Sequence, residues 1–125
     1  MPKKLKYSIQ KHATVRPHYD LRLEMDNTLK SWAIPKEPSK ESHVKRLAMQ
    51  TPDHDIDYYN FKGEIPKGSY GAGKVELYDI GTYELESRSE KEIVFKLHGK
   101  KLKGTYCLIR FRTAGEKAWL FFKKD

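Results

Sequence analysis

The chain has almost no cysteine, no long apolar run and no surplus of acid, and each shortage closes off a class of protein. A single cysteine, Cys107, among 125 residues excludes an internal disulfide framework and a zinc site built from several thiolates. A reducing compartment fits that usage, so a cytoplasmic setting is expected. No stretch approaches the roughly 20 apolar residues of a membrane helix. The amino terminus, MPKKLKYSIQ, also lacks the apolar centre of a secretory signal, and no membrane role is expected. Repeats and low-complexity tracts are missing too. What remains is one domain over residues 1–125, long enough to bury roughly two thirds of its unfolded surface without covalent staples.

Positive charge is what the chain does have. Lysine and arginine number 25 against 17 acidic residues, a formal net charge of +8, which favours polyanionic partners and nucleic acid foremost. Charge of this kind also marks an ordinary lysine-rich surface, so the chemistry has to come from local pattern.

Apolar and polar residues alternate with period two through most of the chain, the pattern of strands with one buried face. Tyr7 and Ile9 mark a first strand, Tyr19 to Met25 a second, and Leu29 to Ile34 its return after the Asp26-Asn27 turn. Arg46 to Gln50 reads as a short strand, and Thr51-Pro52-Asp53 as the cap of a helical turn through Tyr59. Gly63 to Gly73, GEIPKGSYGAG, is too rich in glycine for regular structure and is expected to be a loop. Five more strands are expected over Lys74–Tyr78, Tyr83–Glu86, Ile93–Leu97, Gly104–Phe111 and Ala118–Lys123. The fold class is therefore all-β with a minor helix, as a closed barrel of about eight mostly antiparallel strands.

One strand carries the chemistry. In HYDLRLE, every second residue is polar, so His18, Asp20, Arg22 and Glu24 share a face while Tyr19, Leu21 and Leu23 turn to the core. Neighbours on that face are about 6.6 Å apart, near enough for His18 and Asp20 to converge on one ion, with His12 as a third donor. Two imidazoles and a carboxylate leave positions open for water and a substrate oxygen, and manganese, zinc or iron suits the set. A solvated strand face is an equally good account of the same pattern. Arg22 beside such an ion asks for an anion between the two cations, and phosphate satisfies both. Lys36, Arg46, His54 and Tyr58 are further candidate phosphate contacts. In Asp53-His54-Asp55 the flanking carboxylates favour a protonated His54, although a plain surface histidine has the same look. His43 and His98 have no spaced partner and read as surface residues, and Cys107 reads as core.

Other motifs fall away. GSYGAGK over Gly68–Lys74 has the spacing of a phosphate-binding loop, but Val75 replaces the Ser or Thr that would hold magnesium and a strand follows where a helix is required. His18-x-Asp20 matches half of an oxygenase iron triad on a chain too short and basic for one. Trp32, Trp119 and most tyrosines suit a core, with Tyr70 the best exposed platform for stacking a base.

Taken in order, QKH at Gln10–His12, HYDLRLE at His18–Glu24, LKSWAIPK at Leu29–Lys36, KRLAMQTPDHDIDY at Lys45–Tyr58, GEIPKGSYGAGKV and KLKGTYCLIR resemble the phosphoesterase domain of DNA ligase D and its stand-alone relatives. The resemblance covers nearly the whole chain. It implies a β-barrel with manganese on the positions of His12, His18 and Asp20, other divalent ions such as zinc or cobalt also fitting. It also implies a phosphate held by Arg22, Lys36, Arg46, His54 and Tyr58, with His12, His18, Asp20, Arg22 and His54 catalytic. The implied activity is the healing of DNA 3′ ends. A terminal ribonucleoside is trimmed to leave a 3′-phosphate, which is then removed to give a 3′-OH. Ribonucleotide-tipped primer-templates are the implied substrates, an end-joining ligase or polymerase and Ku-like proteins the implied partners, and a monomer the expected state. Two departures bear on the ribonucleoside step. Pro52 stands where relatives often carry an acidic residue, and few residues precede Tyr7 where longer members have a catalytic arm. No K-x-D-G nucleotidyl-transfer motif or polymerase segment is present, so a stand-alone enzyme or an excised domain is expected. The rival readings are a barrel that binds nucleic-acid ends without hydrolysing them, and a metal-independent ribonuclease using His12 and His54 as an acid–base pair.

Overall fold

The computed structural model describes residues 4–68 and 72–125, so Tyr70 lies outside the described residues. Nine strands are found: β1 (Lys4–Ala13), β2 (His18–Met25), β3 (Thr28–Ile34), β4 (Arg46–His54), β5 (Gly63–Ile65), β6 (Gly73–Arg88), β7 (Glu92–Gly99), β8 (Lys103–Arg110) and β9 (Ala118–Lys123). All pair antiparallel with their sheet neighbours, in the order β1-β2-β3-β4-β9-β8-β7-β6-β5, and β1 pairs with β6. That last pairing closes eight strands into the expected barrel, leaving short β5 outside the ring. Closure removes the unpaired edges an open sheet would expose. Among the described residues no helix is long and apolar enough to cross a membrane.

Period-two burial fills the barrel. Tyr7, Ile9, Leu21, Leu23, Trp32, Phe95, Tyr106 and Phe121 form one cluster inside it, while Val94, Cys107 and Phe122 form a smaller one. Burial raises the Cys107 thiol to about 11, in keeping with a core residue and not with an activated nucleophile.

Three expectations are corrected. Lys74–Tyr78 and Tyr83–Glu86 are parts of one strand, β6, because Gly81 is not a turn. A Cβ there would lie 2.1 Å from the His98 carbonyl oxygen across the β6–β7 pair, so glycine serves a close backbone approach. The glycine-rich segment is not wholly loop, since Gly63–Ile65 pairs with Gly73–Val75 along the part of β6 that β7 does not reach. Nor does Thr51-Pro52-Asp53 cap a helix: β4 continues through His54, and the helical turn is a 3-10 segment over Ile56–Asn60 that begins after Asp55.

One buried carboxylate ties the β7–β8 turn to the barrel. Asp79 on β6 is 3% exposed. It accepts hydrogen bonds from the Tyr7 hydroxyl (2.8 Å) and from the backbone N–H groups of Lys100, Lys101 and Leu102 (2.8–2.9 Å). Gly99 leaves the room this needs, because a Cβ there would be 2.2 Å from Asp79 Oδ2. Replacing Asp79 with Ala leaves the buried Tyr7 hydroxyl and the buried Leu102 N–H without an acceptor, while the exposed Lys100 and Lys101 can turn to water. An unsatisfied buried donor costs about 1–3 kcal/mol, so urea unfolding of Asp79→Ala is expected to show a loss of about 3–5 kcal/mol.

Candidate active site

The β1–β2 register sets His12 opposite His18, Gln10 opposite Asp20 and Ser8 opposite Arg22. Tyr7, Ile9, Leu21 and Leu23 point into the barrel, so these polar residues all project from its outer wall. The 3-10 segment Ile56–Asn60 packs over that wall against β1 and β3. Cover on both sides leaves His12, Asp20 and Arg22 only 8%, 6% and 4% exposed. The three, with His18, His54 and Tyr58, line one cleft of about 510 Å3.

Within it, one donor atom each from His12, His18 and Asp20 lies within 4.8 Å of the others. Asp20 Oδ2 is 3.2 Å from His18 Nε2 and 3.8 Å from His12 Nδ1. Donors each about 2.1 Å from one ion at a tetrahedral angle stand roughly 3.4 Å apart, so the spacing suits a shared ion. The hydrogen bonding makes the same case. His18 Nδ1 is 2.8 Å from the Arg16 carbonyl and donates to it, which leaves the Nε2 lone pair facing a carboxylate. Only a proton or a cation reconciles two such acceptors. Without an ion the proton fills the gap, and the hydrogen bond to Asp20 raises the His18 pKa against the opposing effect of burial.

Arg22 adjoins this group, its Nη2 3.8 Å from Asp20 Oδ2. Its Nη1 is 3.1 Å from His54 Nδ1. A guanidinium has no acceptor, so this is a hydrogen bond only when Nδ1 is bare and the His54 proton sits on Nε2. Burial, and then the Arg22 charge, lower the His54 pKa, which corrects the expectation of a protonated imidazole. The reason is local: Asp53 is taken up by Lys30 at 3.0 Å, and the guanidinium is closer to the ring. Tyr58 stacks with both His54 and Phe61, ring centroids 5.0 Å apart in each pair. Arg22 Cζ lies 5.2 Å from the Tyr58 ring, and burial raises the Tyr58 pKa.

His54 reaches the cleft through an irregularity. β3 and β4 pair Ser31 with Thr51 but Leu29 with His54, one residue out of step. In a regular strand Thr51 and His54 would face opposite ways; the extra residue at Pro52-Asp53 restores His54 to the face of Arg22, as β-bulges do.

The structure thus gathers His12, His18, Asp20, Arg22, His54 and Tyr58. Lys36 and Arg46 are not among the residues lining this cleft. Lys36 is exposed just past β3, and Arg46 Nε donates to the Glu37 carbonyl at 2.7 Å. Gln10 is a site residue that the sequence reading passed over. Fully buried, it accepts from Arg22 Nε at 2.9 Å and donates to the carbonyls of Tyr58 (2.9 Å) and Phe61 (3.1 Å). Its amide holds the guanidinium and the 3-10 segment together. The available signal was position: Gln10 lies two residues before His12, hence on the same strand face.

With this geometry in place, the comparisons with known proteins are specific. Residues 10–110 match the family model described as the DNA ligase D 3′-phosphoesterase domain. The chain belongs to that family. Family relatives include the multifunctional non-homologous end joining protein LigD of Pseudomonas aeruginosa, 46% identical over 125 residues, which is 96% of this chain and 15% of the relative. The LigD of Mycobacterium tuberculosis is 46% identical over 118 residues, 91% of this chain and 15% of that protein. The chain therefore spans about 15% of the length of these family members.

The lowered His54 pKa has a consequence for stability. The unfolded chain takes up the His54 proton below the ordinary value of 6.5 while the folded protein resists it. The contribution is present above pH 6.5 and lost as pH falls through the folded value. In chemical denaturation without metal, the wild type is expected to lose more stability between pH 7.5 and 5 than His54→Gln. Equal losses would show that the imidazole is not held neutral.

Proposed function

We propose that the protein is a metal-dependent 3′-end-healing phosphoesterase, a single domain that hydrolyses a DNA 3′-phosphate to a 3′-OH and inorganic phosphate. One observation carries the reading: the donor atoms of His12, His18 and Asp20 share a cleft with Arg22 and the His54 imidazole. Charge supports it. A divalent ion and Arg22 bring three positive charges, Asp20 removes one, and Asp53 is spent on Lys30. The balance of two matches a phosphate monoester dianion.

A bound divalent ion, manganese in this reading, with zinc or cobalt as substitutes, would polarise a phosphate oxygen and acidify a water. The chain's own groups do the rest. Arg22, fixed by Gln10, neutralises a non-bridging oxygen as negative charge builds. His54 donates from Nε2 to the phosphate or to the departing 3′ oxygen. Tyr58 keeps the imidazole plane in place by stacking, and Lys36 and Arg46 act from outside the cleft, on the substrate as it approaches. Removal of a 3′-terminal ribonucleoside from a primer-template is a second activity of the same site. In this reading the domain works as a cytoplasmic monomer with an end-joining ligase or polymerase and a Ku-like DNA-end protein, and the names of the relatives support the end-joining role.

The test is product analysis on a 3′-phosphorylated DNA oligonucleotide and on a primer with one 3′ ribonucleotide. Phosphate release is expected with manganese and none with EDTA. Asp20→Ala, which removes the anionic donor, is expected to lower turnover at least 1,000-fold, about 4 kcal/mol of transition-state stabilisation, and to abolish manganese binding by calorimetry. Wild-type turnover in EDTA or in Asp20→Ala would overturn the proposal.

A further inference from the structure

A second cleft, of about 500 Å3, opens at the end of the barrel where the β2–β3 turn, the β6–β7 turn and the segment after β8 come together. Lys30, Arg88, Arg110 and Arg112 all line it. Two of these charges are spoken for: Lys30 pairs with Asp53 at 3.0 Å, and Arg88 grips Asp26 with both nitrogens at 2.8 and 3.0 Å. The other two are held more loosely. Among the described residues Arg110 has no carboxylate within ion-pair distance. It lies over Trp119, 5.0 Å to the ring centroid, and gives one N–H to the Glu116 carbonyl. Arg112 meets the Glu116 carboxylate at 3.8 Å, with the two side chains 58% and 89% exposed, so water and salt screen that pair.

Hydrogen-bond accounting adds a second, independent observation. Trp32 Nε1, on a residue 1% exposed, and Arg110 Nε are buried without a partner, and both side chains line this cleft. Gln50 Oε1, an acceptor in the same lining, is already used by Trp119 Nε1 at 3.1 Å. The buried unmatched groups of the cleft are therefore donors, while the Glu90 carboxylate, also in the lining, is exposed. Spare buried donors, one guanidinium without a carboxylate and one in a solvent-screened pair suit an acceptor-rich anion.

Its position identifies the anion. Lys30 lines the barrel-end cleft and Asp53 lines the active site, so their ion pair links the two linings. A polymer whose end sits at Arg22 and His54 passes over that ion pair into the second cleft. We propose that the barrel-end cleft is a phosphate subsite for a nucleic-acid strand, with Arg110 and Arg112 binding a backbone phosphate upstream of the 3′ end. The proposal rests on the active site being a nucleic-acid end site, and binding can be read independently of turnover.

The test compares wild type, Arg112→Gln and Arg110→Gln/Arg112→Gln for binding to a single-stranded 12-nucleotide DNA with a 3′-phosphate across a salt series. Each phosphate contact contributes about 0.7 to the slope of log K against log salt for single strands. The double variant is expected to flatten the slope by about 0.7 and to weaken binding about tenfold at low salt. The exposed Arg112 substitution gives a smaller change in the same direction without touching packed groups. Lys96→Gln/Lys103→Gln removes the same charge from exposed positions on β7 and β8 and is expected to change binding less. For catalysis, the double variant should raise KM for the 12-mer at unchanged kcat and leave kcat/KM unaltered on a nucleoside 3′-monophosphate, which has no upstream phosphate. Unchanged slope and affinity in the arginine variants, equal loss in the lysine variant, or equal loss on the mononucleotide would each overturn the subsite. Arginine-dependent binding by a wild type that hydrolyses nothing would support the subsite and refute the hydrolase.

Discussion

The register of β1 against β2 is the constraint on which the site depends. With His12 opposite His18, one strand pair presents both imidazoles, the Asp20 carboxylate, Gln10 and Arg22 on a single face, and the apolar residues between them fill the barrel. A slip of one residue would exchange the two sets. It would bury histidines and a carboxylate among Trp32, Phe95 and Phe121 and push tyrosine and leucine into water. The hydrophobic core therefore does more than stabilise the fold: it enforces the alignment that brings the ligand atoms together. The barrel adds a second restraint, since β1 also pairs with β6 and both of its edges are held.

Much of this was legible in the sequence. Strict alternation in HYDLRLE assigned Asp20 and Arg22 to one face and Leu21 and Leu23 to the other, and the structure agrees because a half-buried antiparallel strand has little freedom to do otherwise. The barrel was legible for a related reason: many short alternating segments joined by turns need closure to bury one face each. What escaped was set by single close contacts. The sequence breaks Lys74–Tyr78 from Tyr83–Glu86, yet Gly81 between them keeps β6 continuous and lets it approach the His98 carbonyl. Gly63–Ile65 reads as loop, yet β6 outruns β7 and leaves an edge to be paired. His54 has a surface look between two aspartates. Only the fold shows Asp53 drawn away to Lys30 and a guanidinium brought against the ring.

Gln10 illustrates the difference between groups that react and groups that hold them. It carries no charge, but its amide links the Arg22 guanidinium to the backbone of Tyr58 and Phe61 in and just after the covering 3-10 segment. A neutral side chain suits that task. A carboxylate would pair with Arg22 but could not donate to two carbonyls, and a lysine could donate but not accept from Nε. Glutamine does both at once, and full burial keeps water from competing for either bond.

The extra residue at Pro52-Asp53 makes chain length, as much as residue identity, part of the active site. Side chains along β4 obey an odd–even rule, and the bulge changes the parity once, between Thr51 and His54. Deleting one residue there would erase the bulge and leave the imidazole on the same face, opposite Leu29, by ordinary alternation. Removing two would set it directly after Thr51 and turn it toward the barrel interior. The direction of the His54 side chain therefore depends on how many residues separate it from Thr51, and not on which residues fill the gap.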